Sequence, residues 1–515
     1  MRIERRQNVR RNVLFGLTLK IYQVLVPFVM RTAIIYYMGV EYLGLSGLFV
    51  SILQILNMAE LGVGSAMVFS MYEPIAKDET DKICALIHLY RLYYRVIGCF
   101  IAAAGIMITP LIPKLIHGMV PEDVNIYVLY LLNLSGTVAT YWFLAYKNSI
   151  FLAHQRTDIG SKISLVTNSC QYIFQLWSVV VLKNYYLYII SSLCAQLINN
   201  VITALAAAKY YPDYKPTGRL PAEKIREINQ RIKDLVTSKI GGTILLSADT
   251  IVISVYMGLT ALAVYQNYYF ILSAVIGFVE IIFAGSVAGI GNSLITETNE
   301  KNYKDLNKFT FLLCWLTGIC FCCFMNLYQP FMEVWMGKEL MLDFFAVICF
   351  CVYFWVYELN RLLNTYKDAG GIWHQDRYRP LITSMVNLAL NLIMVRLGGI
   401  YGVLLSTVIA TSGIGIPWIL HNLFTSIFEK KRLKKYFFRL IMYTAVTAVA
   451  GAISFQICHF ISFRNPAALF FRALTCCIIP NLIFWAAYHR LPEFRQSVYL
   501  LKNMVKAGGK SDNNS

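Results

Sequence analysis

Residues Lys209–Leu235, KYYPDYKPTGRLPAEKIREINQRIKDL, are the long polar stretch between the first apolar residues and the C-terminal tail, and they cut the chain into two apolar halves. Pro212, Pro216 and Pro221 stop helix in its first part, because each lacks an amide hydrogen and crowds the preceding turn, and an amphipathic run then resumes. Its Lys and Arg residues outnumber its acids. A basic connector between membrane spans belongs on the cytoplasmic side.

The segments on either side read as membrane. The chain has 515 residues, 57% hydrophobic and 14% charged, with a mean hydropathy of +0.55; an ordinary soluble domain is about 25% charged. The net charge of +18 is not the mark of a nucleic-acid partner, because the basic residues sit in short segments between apolar runs. Those runs are about 20 residues long, the length that crosses a bilayer as helix. Thirteen cysteines are scattered through them, and the Cys320–Cys323 pair lies in an uncharged run without a second pair or a nearby His. Packing is their expected role, with no metal and no disulfide. The basic start leads into an apolar run too long for a cleavable signal and without a small-residue cleavage site, so the first helix is expected to stay.

Runs of low charge give fourteen expected spans, six before the connector and eight after it. The expected organisation is an N-terminal lobe at 1–208, a cytoplasmic basic linker at 209–236, a C-terminal lobe at 237–424, two further spans within 425–488 and a cytoplasmic tail at 489–515. The Lys and Arg residues concentrate in alternate loops, which places both termini in the cytoplasm. The halves echo each other. Tyr37-Met38-Gly39 and Tyr256-Met257-Gly258 each open a pair of Gly-rich segments, and each pair leads to an acidic-basic loop, EPIAKDETDK and ETNEKNYKDLNK. The expected fold is therefore all-α and integral to the membrane, two pseudo-symmetric six-helix lobes plus two C-terminal helices, with a transport site between the lobes.

Polar residues inside the spans recur at helical spacing. Lys20, Gln23, Pro27 and Arg31 share a stripe on the first span, since eleven residues at about 100° each bring Lys20 and Arg31 nearly into register. Ser164/Asn168/Gln171/Gln175/Ser178, Ser192/Gln196/Asn199/Thr203 and Ser384/Asn387/Asn391 form others. So many polar faces cannot all meet lipid: they face one another or line water, and the number of contributing helices favours a hydrated cavity over scattered interhelical hydrogen bonds, although packing is the commoner role for any single Ser or Asn. Ionisable residues deep in spans cost at least about 2.5–3.5 kcal/mol each unless paired or wet. They are Arg31, Glu60, Asp249, Glu280 and Arg361, with Lys20, Lys239, Glu358 and Arg396 nearer the ends. Glu358 and Arg361, three apart, can pair on one helix face. Arg31 has uncharged sequence for ten residues before it and nine after, so it needs an acid from another helix or an anionic substrate. Glu60, Asp249, Glu280 and Lys239 are coupling groups or structural ion pairs, the carboxylates being candidates for proton or sodium coupling. No catalytic centre is visible: Gly509-Lys510-Ser511 ends like a phosphate-binding loop but has Met504 where the first glycine should be, and the seven histidines never recur at i, i+4.

Two stretches, LGLSGLFVSILQILNMAELGVGSAMVFSMYEPIAKDETDKICALIHLYRLYYRVIG and RLLNTYKDAGGIWHQDRYRPLITSMVNLALNLIMVRLGGIYGVLLSTVIAT, resemble the bacterial polysaccharide flippases (Wzx, the polysaccharide transporters) of the MOP superfamily, which also holds MATE drug exporters and lipid II flippases. The motifs that carry the likeness are Ala59-Glu60-Leu61-Gly62 and Lys367-Asp368-Ala369-Gly370-Gly371 with Asp376-Arg377-Tyr378-Arg379-Pro380. A Gly-Thr pair common in the family is Ser406-Thr407 here. The resemblance implies a MATE-like fold in the bacterial cytoplasmic membrane. It further implies translocation of an undecaprenyl-diphosphate-linked oligosaccharide from inner to outer leaflet by alternating access without ATP, in surface polysaccharide (O-antigen, capsule or exopolysaccharide) biosynthesis. Membrane lipid and other polysaccharide-assembly proteins are the further partners, and no cofactor is expected beyond a coupling ion. A diphosphate needs cations to replace its hydration, so Lys20, Arg31 and Arg361 are the expected head-group contacts, with Gln23, Asn168, Gln171 and Gln175 as glycan contacts. A MATE-like exporter of small molecules is the alternative, and a membrane polysaccharide polymerase or glycosyltransferase is a third reading that would call for an extramembrane loop bearing acidic or His residues.

Overall fold

A computed structural model describes residues 5–118, 120–284, 287–460 and 466–498, and all secondary structure in them is helical. The chain forms two compact units, Met1–Gln266 and Asn267–Ser515. Among the described residues ten helices are long and apolar enough to cross a membrane, eleven if the bent pair Ile126–Trp142 and Ala145–Ala153 counts as one span. The expected fourteen exceed this number for two reasons. Lys239–Ile281 and Trp373–Ser426 each cover two expected spans, and Thr157–Val180, the expected fifth, is helical but too polar to qualify.

The first unit contains α1 (Arg5–Tyr37), α2 (Val40–Leu56), α3 (Val63–Ala76), α4 (Thr80–Ile108), α5 (Ile126–Trp142), α6 (Asn148–Ala153), α7 (Thr157–Val180), α8 (Tyr185–Tyr210) and the start of α9 (Ala222–Ala284). Short polar caps start several helices: Asn125 accepts from the amides of Tyr127 and Val128 ahead of α5, and Asn184 from that of Leu187 ahead of α8. Both Tyr-Met-Gly motifs end a helix. Gly39 has φ 129° and Gly258 φ 88°, in a region where a side chain is strained. Gly258 also lets His117 close in, for a Cβ there would stand 2.5 Å from the His117 carbonyl oxygen. Small residues let α2 meet α9 beyond that break: a Cβ on Gly44 would fall 2.2 Å from the Leu259 carbonyl oxygen.

The polar stretch that divides the sequence packs on the first unit. Cys84 Sγ donates to the Asp213 carbonyl at 3.4 Å, Lys147 Nζ to the Tyr214 carbonyl at 3.1 Å and Tyr93 Oη to Asn229 Oδ1 at 2.6 Å. The buried His154 ring stacks on Tyr211, centroids 4.2 Å apart. The division into units falls later than this stretch, inside α9.

The second unit holds the rest of α9, α10 (Val287–Thr296), α11 (Asn299–Met336), α12 (Phe344–Ala369), α13 (Trp373–Asp376), α14 (Arg379–Ala410), α15 (Ile416–Ser426), α16 (Lys430–His459) and α17 (Pro466–Tyr488). Gly399, at φ 54°, kinks α14 between two expected spans. The two C-terminal helices pack on each other and on α11 through aromatic side chains, Phe311 against Tyr443 and Trp315 against Phe484. Of the expected tail, residues 499–515 lie outside the described residues, the Gly509-Lys510-Ser511 motif among them.

Candidate functional site

In the first unit, α1 lies against α7 and α7 against α8. Lys162 Nζ sits 4.3 Å from the centre of the Phe15 ring, and Tyr22 Oη is 2.9 Å from Ser169 Oγ. Further along α1, Arg31 is half-buried and within electrostatic reach of Tyr188 on α8. The backbone carbonyl of Tyr188 accepts from Gln175 Nε2 at 3.1 Å, and Gln175 Oε1 accepts from Gln171 Nε2 at 3.3 Å. Arg31 and Gln175, distant in sequence, are thus both related to Tyr188, the first electrostatically and the second through the backbone carbonyl, and Gln171 bonds Gln175. Lys20 and Asn168 are half-buried and Gln23 is exposed. The stripe on α7 is partly satisfied within the bundle, since Ser164 Oγ donates to Asn199 Oδ1 at 3.5 Å and Ser178 Oγ to the Asn184 carbonyl at 2.8 Å. Tyr188 was not anticipated; its signal in the sequence is a run of aromatics, Tyr185, Tyr186 and Tyr188, at the start of α8.

Glu60 stands at a break. α2 gives way to a 3-10 turn, Asn57–Glu60, and Gly62 at φ 85° precedes α3. Tyr94 Oη donates to Glu60 Oε1 at 2.9 Å, and Tyr90 Oη donates to Tyr94 Oη at 2.8 Å. These groups line a cavity of about 300 Å³ together with Ser65, Asn148 and Lys239. Lys239 Nζ reaches Ser65 Oγ at 3.4 Å and acts electrostatically on Glu60. The acid opposite Lys239 in this cavity is therefore Glu60, with a tyrosine pair as its hydrogen-bond relay. Tyr90 and Tyr94 are one helical turn apart, a spacing that is the signal of this pair in the sequence. Asp249, also in the first unit, is buried.

In the second unit Arg361 Nη2 lies 2.7 Å from Glu358 Oε2, and the carboxylate is fully buried while the guanidinium keeps part of its surface. Arg361 Nη1 also donates to the Ile276 carbonyl at 3.5 Å, and Glu280 is near enough to act on Glu358. The guanidinium is thus paired with Glu358, and Glu280 adds a second negative charge beside that carboxylate.

The second resemblance motif closes a buried ion cluster. Asp376 accepts from Arg379 Nε and Nη2, both at 2.7 Å, and from Asn422 Nδ2 at 3.0 Å. Arg379 Nη2 also donates to Asn364 Oδ1 at 2.7 Å, and Lys367 Nζ lies 3.8 Å from Asp376 and 2.9 Å from Asp368. One expectation is corrected here: Ser384, Asn387 and Asn391 do not line a hydrated cavity. All three are fully buried, and Asn387 Nδ2 donates to Thr407 Oγ1 at 2.8 Å while Ser406 Oγ donates to Asn391. The Gly399 kink folds the halves of α14 together, so each half satisfies the other and Ser406-Thr407 supplies the partners.

Comparison with protein-family models and with curated proteins finds no match. Solved structures do match. A multidrug resistance MATE family transporter of the MOP superfamily in an inward-facing conformation aligns with TM-score 0.63 and 15% identity over 82% of this chain and 99% of its own. The lipid II flippase MurJ in an inward closed conformation aligns with TM-score 0.64 and 17% identity over 93% of this chain and 99% of its own. A MOP superfamily transporter from Pyrococcus furiosus, described as having a binding pocket of reverse polarity that suggests a different function, aligns with TM-score 0.54 and 14% identity over 83% of this chain and 97% of its own. The chain shares the fold of these multi-pass membrane proteins.

Proposed function

We propose that the protein is a flippase for an undecaprenyl-diphosphate-linked oligosaccharide, moving it from the inner to the outer leaflet of the cytoplasmic membrane by alternating access. The observation that carries this reading is the half-buried guanidinium of Arg31 in a membrane-spanning helix, beside the Gln171–Gln175–Tyr188 chain. A guanidinium fork holds phosphate oxygens in pairs, and amide side chains suit the hydroxyls of a glycan. Lys20 on the same stripe serves the cytoplasmic mouth, and the partly exposed Arg361 offers a second cation. The lipid II flippase among the structural matches supports a lipid-linked glycan as the substrate class. Glu60, with its tyrosine relay and Lys239, is the preferred coupling carboxylate, ahead of Glu280 and Asp249. The cytoplasmic placement of both termini belongs to the same proposal and follows from the Lys/Arg asymmetry.

The test is complementation of a flippase-deficient strain. Arg31→Ala is expected to abolish surface polysaccharide at unchanged membrane abundance, and Arg31→Lys to restore part of it. If Arg31→Ala lowers abundance and removal of Glu60 or Asp249 rescues it, Arg31 is half of a structural pair. A second reading, export of a cationic small molecule, is favoured by the Glu60 cavity, whose carboxylate and tyrosine rings suit a cation. Drug resistance conferred by the parent and lost in Glu60→Gln, with polysaccharide unchanged, would select it.

A further inference from the structure

The start of α16 reads Lys430-Lys431-Arg432-Leu433-Lys434-Lys435, and its charges are matched differently from those at other helix ends. There, exposed lysines find an acid three or four residues away, as Lys77 does in Glu73 at 2.6 Å, Lys82 in Glu79 at 2.9 Å and Lys304 in Glu300 at 2.7 Å. At α16 the one acid in this stretch, Glu429, takes Lys431 at 2.6 Å and Arg432 at 3.4 Å. Lys434 and Lys435 are exposed, and the sequence has no acid within four residues of either. Arg439, the next cation along, donates to Asn307 Oδ1 at 2.6 Å and lies 2.5 Å from Glu493 Oε1. That clamp occupies Glu493 and brings to this end of α16 the chain just past α17, where Arg490 and Arg495 are exposed.

The same face continues along the helix. Lys434, Phe437, Phe438 and Ile441 stand at i, i+3, i+4 and i+7, so they share one side of α16, and all four are exposed. α16 is long and apolar enough to cross a membrane. Its exposed apolar residues therefore meet acyl chains, and the lysines stand where that stripe reaches the headgroup layer, with Lys434 about 10 Å along the axis from Ile441.

We propose that this end of α16 binds an anionic phospholipid of the bilayer, with its phosphate on Lys434 and Lys435 and an acyl chain along Phe437, Phe438 and Ile441. Arg490 and Arg495 add to the positive field. Cations clustered just outside a membrane span select lipids of net negative charge, whereas a zwitterionic lipid brings its own ammonium to the same place and loses the advantage. Phenylalanines continuous with the lysines suit a ligand charged at one end and apolar along its length. This inference does not depend on the transported substrate.

The full chain in detergent is titrated with phosphatidylglycerol, or with phosphatidylcholine of the same acyl chains, and bound lipid is counted by native mass spectrometry. The parent is expected to hold phosphatidylglycerol more tightly. At about fivefold for each cation near the surface, Lys434→Gln/Lys435→Gln should weaken phosphatidylglycerol binding about twenty-five-fold and leave phosphatidylcholine binding unchanged. The control Lys77→Gln/Lys82→Gln removes the same charge from another exposed pair and should keep the preference. Phosphatidylglycerol should also raise the melting temperature of parent and control but not that of the α16 variant. The proposal is overturned if the parent binds both lipids alike, if the α16 variant keeps the preference, or if the control loses as much. It is equally overturned if the α16 variant loses binding of undecaprenyl diphosphate but not of phosphatidylglycerol, which would give these lysines to a transported lipid instead.

Discussion

Replacing Asp376 by Asn keeps the side-chain shape and removes one charge from the buried cluster that the second resemblance motif builds. Asp376 and Arg379 are 2% and 5% exposed, and the pair is bidentate at 2.7 Å. The variant leaves Arg379 buried with only neutral partners at Asn364 and Asn422's former acceptor, and leaves Lys367 to Asp368 alone. Breaking one side of a buried ion pair costs about 3–5 kcal/mol, because the remaining charge has lost its water and its partner. The Lys77–Glu73 pair is the control: its side chains are 58% and 65% exposed, and Lys77→Ala should cost about 0–1 kcal/mol. Melting in detergent, followed by tryptophan fluorescence, compares the two. Asp376→Asn should melt well below the parent and Lys77→Ala beside it, and the double change Asp376→Leu/Arg379→Met should recover most of the loss by removing both charges. An Asp376→Asn protein as stable as the parent but inactive in transport would refute the structural reading and move the motif to the substrate path.

Gly258→Ala meets both a left-handed backbone and the His117 carbonyl, so it should destabilise by about 1–3 kcal/mol or more, whereas Gly242→Ala, with nothing within 4 Å of its new Cβ, should not; melting of the pair decides. Asn387→Ala removes the donor to Thr407 and leaves a buried hydroxyl and amide short of partners, a loss of about 1–3 kcal/mol visible in the same assay. Burial pushes the His154 imidazole down from 6.5 to about 4. Because the unfolded chain takes up that proton first, stability should be unaffected above about pH 6.5 and fall as pH drops from there toward 4. His154→Phe, which keeps the stack on Tyr211, should flatten that fall; equal pH dependence in both proteins would show that another group carries it.

The expectations that held were those written in short segments. Membrane insertion follows from the transfer free energy of each apolar run. The Glu358–Arg361 pair at i, i+3 is equally local. Periodicity also identified the polar stripes, but a stripe has a direction only once its helix has a rotational setting. Ser384, Asn387 and Asn391 read like Asn168, Gln171 and Gln175, yet the first set is enclosed by the other half of its own kinked helix, whereas in the second Gln171 bonds Gln175 and Gln175 bonds the backbone of a different helix at Tyr188. Likewise the sequence holds Glu60, Tyr94 and Lys239 as unrelated residues. Their partnership is long-range because a buried polar group is satisfied by whatever packing brings within a few ångströms, and that is a property of the tertiary fold alone.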